Sequence, residues 1–252
     1  MTYFGFLVLF VILPVVLLLM ISWPKLQRNQ VWMLVILAVI AVLYTTPWDN
    51  YLVATRVWWY DPALVTGITL GWVPIEEYGF FVLQTLMTGL LLLFLRQRIQ
   101  PGPVPSIMRL RIYTFGAGAL IWGGMLALLV SGWRPGTYLA LEMVWAFPPI
   151  LLQLAFGADI LWQYRRWVSL AIISATLYLS AADWIAIGTG TWTIDPEQSL
   201  NIFFFGHLPV EEVVFFLLTN TLVVCGMTLG LASESQTRLP GWILSRRSKA
   251  LQ

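Results

Sequence analysis

Seven apolar stretches dominate this chain: Tyr3–Ser22, Val31–Thr46, Pro74–Leu95, Tyr113–Val130, Leu141–Trp162, Val168–Gly188 and Leu208–Leu231. Most run about 18–24 residues, the length a helix needs to cross the roughly 30 Å hydrocarbon core of a bilayer. Backbone amides find no water in that core, so stretches of this kind are confined to helices. With 59% hydrophobic residues and a mean hydropathy of +0.80, the chain lies well above the apolar share of a soluble domain. The expected fold is therefore an all-α integral membrane protein with seven transmembrane helices. The second stretch is short and either extends to Trp48 or tilts little. The N-terminus lacks the basic region and small-residue cleavage site of a signal peptide, so Met1–Met20 reads as a retained helix.

Charge position gives the orientation. Counting loops alternately puts Lys25, Arg28, Arg96, Arg98, Arg109, Arg111, Arg165, Arg166, Arg238, Arg246, Arg247 and Lys249 on one side and only Arg56 and Arg134 on the other. By the positive-inside rule the first side is cytoplasmic, the N-terminus outside and the C-terminus inside. The acids do the reverse: Asp49, Asp61, Glu76, Glu77, Glu142, Asp183, Asp195, Glu197, Glu211 and Glu212 gather at or near the outer ends, leaving Asp159 and Glu234 inside. Acids set topology weakly, so this bias marks a candidate site. The net charge of +2 argues against a nucleic-acid partner, and the one cysteine, Cys225, allows no internal disulfide.

The acids also repeat. Tyr44, Asp49, Trp58, Asp61-Pro62, Pro74, Glu76-Glu77 and Phe80-Phe81 have counterparts in Tyr178, Asp183, Trp192, Asp195-Pro196, Pro209, Glu211-Glu212 and Phe215-Phe216. The offset is 134 residues from Asp49 to Asp183 and 135 from Pro74 to Pro209, which implies a one-residue insertion in the intervening loop. Helices one to three thus recur as five to seven, and helix four restores parity, a 3+1+3 parallel repeat whose interface is the natural place for a shared site. The halves divide as 1–105, with helices one to three, and 106–252, with helix four and the second repeat; the Pro- and Gly-rich Gln100–Pro105 is the join.

Within Pro-X-Glu-Glu, proline suits the first turn of a helix, where a missing amide donor is harmless. A glutamate there complements the helix dipole, for at most about 1 kcal/mol when exposed. Two in succession project about 100° apart, so if one caps the helix the other points at the bundle or the lipid. Each pair also stands one turn from a Phe-Phe pair, and ionisable groups in apolar helices are functional by default. Asp49 and Asp183, ending the second helix of each repeat, either face these glutamates or are wetted at the interface. Asp61-Pro62 and Asp195-Pro196 read as turn initiators. His207, the sole histidine, matches Trp72 in the other half and is either a base or merely tolerated. Trp58, Trp72 and Trp192 form an interfacial belt, a wall whose π faces stabilise a cation by about 2 kcal/mol or more when desolvated, or both.

At these residues the chain resembles the heterodimer-type lycopene cyclases, small membrane proteins with a Pro-X-Glu-Glu or Pro-X-Glu-Asp motif, here as a fused chain with two cyclase repeats. The resemblance implies redox-neutral isomerisation of the acyclic end group of lycopene. A carboxylic acid protonates the terminal alkene, the neighbouring double bond attacks the cation, and a carboxylate removes a proton from the cyclic cation. Glu76, Glu77, Glu211 and Glu212, backed by Asp49 and Asp183, are the candidate acids and bases, with acid and base interchangeable at this stage. Trp58, Trp72, Phe80, Phe81, Trp192, His207, Phe215 and Phe216 are the candidate substrate walls. A β-ring is the expected product. The implied partners are a lipophilic carotenoid and the bilayer, with the cell membrane as the expected location and other carotenoid enzymes as candidate associates.

That chemistry needs no redox cofactor, and no metal-ligand spacing occurs. Gly116-Ala117-Gly118 lies inside an apolar stretch without strand-turn-helix context or a third glycine, so it reads as helix packing rather than a dinucleotide site. A retinal photoreceptor needs a buried lysine, whereas Lys25 and Lys249 lie outside the apolar stretches. A small-molecule transporter with 3+1+3 repeats is the alternative, but transporters place polar residues near midplane. A scaffold for carotenoid assembly leaves the doubled carboxyls without a purpose.

Overall fold

The computed structural model describes residues 1–101 and 108–238. Residues 102–105 of the expected join, the 105/106 division, and Arg246, Arg247 and Lys249 lie outside the described residues. Among the described residues, seven helices are long and apolar enough to cross a membrane. They are α1 (Tyr3–Lys25, with a π-helical stretch at Leu7–Ile12), α2 (Arg28–Ala54), α3 (Ile75–Arg96), α4 (Met108–Val130), α5 (Thr137–Gln163), α6 (Arg165–Gly188) and α7 (Val210–Leu231). A short α8 (Ser233–Gln236) follows.

The second helix is longer than the apolar stretch that announced it. α2 runs 27 residues through Pro47 to Ala54, and α6 continues to Gly188, so Asp49 and Asp183 lie within their helices rather than ending them. Pro47 withholds the N–H that would reach Leu43 O, and side-chain bonds flank the gap: Thr46 Oγ1 donates to Val42 O at 2.6 Å and Asn50 Nδ2 to Thr46 O at 2.9 Å. The motif prolines also sit one position earlier than expected. Pro74 and Pro209 are the N-cap residues, in extended conformation, and the helices begin at Ile75 and Val210. A residue without an N–H that keeps its predecessor extended is suited to the passage from strand to helix. Glu76, Glu77, Glu211 and Glu212 follow in the first turns.

Short strands knit the segments between helices. β1 (Trp58–Tyr60) pairs antiparallel with β4 (Trp192–Ile194), β2 (Thr69–Leu70) with β3 (Val73–Pro74), and β5 (Phe203–Phe204) with β6 (Leu208–Pro209). In β1–β4 Trp58 faces Ile194 and Tyr60 faces Trp192. Exchanging each residue for its repeat counterpart returns the same two pairs, so a pseudo-twofold axis passes through the central Trp59–Thr193 pair. The inserted residue is visible as well. The β2–β3 turn is Gly71-Trp72, with Gly71 at φ +73°, whereas β5–β6 turns through Phe205-Gly206-His207, with Phe205 at φ +49° and Gly206 at +93°. Left-handed backbone favours glycine, and Phe205 is the extra residue that shifts the offset from 134 to 135.

α3 and α7 are the inner helices: 56% of the most apolar window of each is buried, against 6% for α4. They meet through Thr88 Oγ1, which donates to Asn220 Oδ1 at 2.7 Å, and Gln84 Nε2, which donates to Thr219 Oγ1 at 2.8 Å. α4 packs on α5, where Gly118 sits against Leu151, a close approach that a side chain at 118 would obstruct. At the end away from the motif, Asp159 takes forked bonds from Arg111 (2.7 and 3.0 Å) and Arg238 (3.0 and 2.5 Å), tying α4 and the segment after α8 to α5.

Candidate active site

The consecutive glutamates do two different jobs. Glu76 turns outward to the loop: Thr66 N–H donates to its Oε1 at 2.6 Å and Thr66 Oγ1 to its Oε2 at 3.0 Å. Glu211 does the same in the second half, accepting from Leu200 N–H at 2.7 Å, and Leu200 is the counterpart of Thr66. Both are buried, and neither lines the cavity described below. They fasten the strand-bearing loops to the first turns of α3 and α7.

Glu77 and Glu212 turn inward. The first residues of α1 and α5 reach them: Tyr3 OH donates to Glu77 Oε2, and Tyr138 OH donates to Glu212 Oε1 at 2.8 Å. Both tyrosines are aimed by their own loops, Tyr3 N–H donating to Leu64 O at 2.8 Å and Tyr138 N–H to Gln198 O at 2.9 Å. Glu77 has a second phenol, Tyr60 OH at 2.9 Å. Burial, and then the charge of Glu77, hold the Tyr60 phenol well above its ordinary pKa, so it remains a donor at neutral pH. The counterpart of Tyr60 is Ile194, and Glu212 has no second phenol.

These groups border one cavity of about 40 Å³ between the halves. Its lining is wholly acidic or aromatic. Asp49, Glu77, Asp183 and Glu212 supply the carboxyls, and Tyr3, Phe6, Trp48, Trp58, Tyr60, Phe80, Phe81, Tyr138, Trp192, Phe215 and Phe216 supply the rings. Asp183 accepts Trp192 Nε1–H at 2.9 Å; in the first half neither Asp49 nor the Trp58 indole N–H has a partner among the described residues. The four carboxyls border the same small space. Carboxyls and aromatic rings are thus assembled around one point. Among the described residues, no group of three or more His, Cys, Asp or Glu is arranged to hold a metal ion.

Of the residues singled out in the sequence, Glu77, Glu212, Asp49, Asp183, Trp58, Trp192, Phe80, Phe81, Phe215 and Phe216 meet at this cavity. Glu76, Glu211, Trp72 and His207 do not. Trp72 is 67% exposed, because the hairpin register puts it at the tip of the turn. His207 occupies the equivalent turn, stacks on Trp184 at 4.8 Å and donates from Nε2 to Trp184 O at 2.8 Å. Tyr3, Tyr138, Tyr60, Phe6 and Trp48 were not anticipated. Tyr3 and Tyr138 keep the 135-residue offset of the glutamate motif, a signal the sequence carried; Tyr60, whose counterpart in the repeat is Ile194, carried none. Glu142 was counted only as an outer acid. It is completely buried one turn along α5 from Tyr138, without a hydrogen-bond partner among the described residues.

Two half-sites are joined by a pseudo-twofold axis, and their carboxyls meet inside an aromatic chamber on a helical frame. A lycopene cyclase family model matches the chain twice, over residues 1–95 and 135–229, the regions of α1–α3 and α5–α7. The chain belongs to the lycopene cyclase family. It is 42% identical over 195 residues to a lycopene beta-cyclase of Halobacterium salinarum, covering 77% of this chain and 80% of that protein. It is also 36% identical over 221 residues to a bifunctional lycopene cyclase/phytoene synthase of Podospora anserina and 35% identical over 212 residues to one of Gibberella fujikuroi. Those alignments cover 84% and 81% of this chain but only 37% and 36% of the fungal proteins. No solved structure gives a significant match.

Proposed function

We propose that this chain closes the acyclic end groups of lycopene into β-rings by proton transfer alone, at the cavity between its two halves. The observation that carries this reading is the pairing of Glu77 with Glu212 across a chamber whose every other wall is a carboxyl or an aromatic ring. The reaction adds one proton to the terminal alkene and removes one from the cyclic cation, so substrate and product are isomers. One carboxylic acid and one carboxylate suffice, each contributing about 10²–10⁴-fold. The rings present π faces to the cation between those steps.

Glu212 is assigned as the acid and Glu77 as the base. Glu77 accepts two phenol hydrogens on one oxygen, the solvation a carboxylate needs, whereas Glu212 accepts one. The protein is an integral membrane protein with 3+1+3 parallel repeats, divided near residues 105 and 106, N-terminus outside and C-terminus cytoplasmic, and its cavity lies at the outer ends of the helices. The split of basic residues and the pseudo-twofold strand pairing support this arrangement. Its substrate arrives from the bilayer of the cell membrane, where other carotenoid enzymes supply it. Asp49 and Asp183 hold protons behind the glutamates, and Glu76 and Glu211 position the loops.

Expression in lycopene-accumulating cells, with pigments resolved by chromatography, tests the proposal. Cyclic carotenoids should appear without any added flavoprotein gene; unchanged lycopene, with the protein present in the membrane, would refute it.

A further inference from the structure

The chamber is too small for what it is proposed to process. An apolar cavity of about 150 Å³ is the size that takes up a benzene ring, whereas ~10–15 Å³ holds one water. At about 40 Å³ the chamber admits water but not a branched hydrocarbon end closing into a six-membered ring. It has no room at all for the long polyene attached to that end.

A second space lies directly against it. A groove of about 160 Å³ runs between α2, α3, α5 and α7, and shares Phe81 and Phe215 with the chamber. Those rings belong to an aromatic partition: Trp48, on the chamber side, stacks on Trp145, on the groove side, at 4.5 Å, and both stack on Phe215, at 6.0 and 6.4 Å. The groove opens sideways past Ile40 and Tyr44, which are 52% and 40% exposed on the apolar face of α2. Its polar side chains are largely turned into the protein. Gln84 bonds Thr219, Tyr44 OH donates to Trp145 O at 2.8 Å, and Gln153 Nε2 donates to Leu222 O at 3.0 Å. What remains to a ligand is chiefly hydrocarbon and ring surface.

From this juxtaposition we infer that the groove is the polyene subsite: a conjugated hydrocarbon lies along α2 and α7, and its end group enters the carboxyl chamber between Phe81 and Phe215. The inference rests on the cyclase reading and adds the route and the binding mode. Displacement of the two phenylalanines merges the spaces into one large enough for a ring. A rigid, flat polyene suits a slot walled by Trp145 and Phe215, and continuity with the chamber selects a molecule whose reactive end lies at the tip of a long chain.

The test places a photoreactive phenylalanine at Leu222, half-buried in the groove, and at Leu152, which is 72% exposed on α5 as a lipid-facing control. After illumination in membranes containing lycopene, the Leu222 protein should carry a carotenoid-mass adduct and the Leu152 protein none. A phospholipid acyl adduct at Leu222 in the presence of lycopene would overturn the inference, because the groove would then be a lipid site. In parallel, Ala41→Phe and Ala41→Trp should lower cyclisation at least tenfold through KM, at unchanged protein level in the membrane. Leu152→Trp, on the lipid-facing surface of α5 outside the groove, should leave turnover intact, and the adduct readout keeps the test informative if the bulky groove variants do not fold. If the parent chain makes no cyclic carotenoid, the cyclase reading fails. If it does, and the groove variants match it with no carotenoid adduct, the groove inference fails alone.

Discussion

The first and second halves share a frame and differ in their chemistry. Both bring a tyrosine from the start of a helix to the second glutamate of the motif, both use the first glutamate to grip a loop amide, and both place an aspartate in the chamber wall. The first half adds Tyr60 to Glu77, where the second has Ile194. It fastens Glu76 with a hydroxyl as well as an amide, where Leu200 offers only the amide. The second half pairs Asp183 with an indole and buries an additional carboxyl, Glu142, at the place where the first half has Leu7. Duplication thus supplies two equivalent acids, and these four departures make them unequal. Unequal carboxyls suit the proposed reaction, which first gives and then takes a proton.

The largest expected effect removes that inequality altogether. Glu77→Gln and Glu212→Gln should each lower cyclisation by about 10²–10⁴-fold, and the double variant should be no worse than either single one, since the pair acts as a unit. Turnover in isolated membranes, measured as cyclic product per protein, checks this. Next in size is the phenol count. Tyr3→Phe removes one of the two phenols that solvate the Glu77 carboxylate and should cost about 10–100-fold, from the ~1.5–3 kcal/mol of a hydrogen bond to a charged group, whereas Tyr138→Phe removes a donor from the neutral acid Glu212 and should cost under about tenfold, from the ~0.5–1.5 kcal/mol of a neutral bond. Equal losses would break the assignment of different roles.

Smaller effects bear on stability. Glu142→Leu makes the second half resemble the first and removes a buried carboxyl that has no partner, so unfolding in detergent should move to higher temperature, by about 1–3 kcal/mol of stabilisation. Thr66→Val makes the first loop resemble the second and should cost about 1 kcal/mol, read from the same melting curves.

The helices were legible because the bilayer length and the 134-residue repeat are properties of the sequence itself. The end of α2 was not: apolarity stops near Thr46, but the helix continues through Pro47 to Ala54. Most of the chamber was legible through the doubled Glu-Glu and Phe-Phe pairs. Their division of labour was only half legible, since a 100° separation says that two glutamates diverge without saying which one the loop will claim. Trp72 and His207 misled because aromatic residues near acids look alike whether they line a chamber or tip a hairpin. Tyr60 acts on Glu77 through the cross-half β1–β4 pairing, a contact that no local pattern announces.

The division between paired glutamates is the point on which the account turns. Glu77→Gln, Glu212→Gln, Glu76→Gln and Glu211→Gln should be expressed side by side in lycopene-accumulating cells and their pigments quantified. The account predicts lycopene alone from the first two and cyclic carotenoids from the last two, because glutamine at 76 or 211 still accepts the loop amide. Cyclic product from Glu77→Gln or Glu212→Gln, or its loss only in Glu76→Gln and Glu211→Gln, would contradict it.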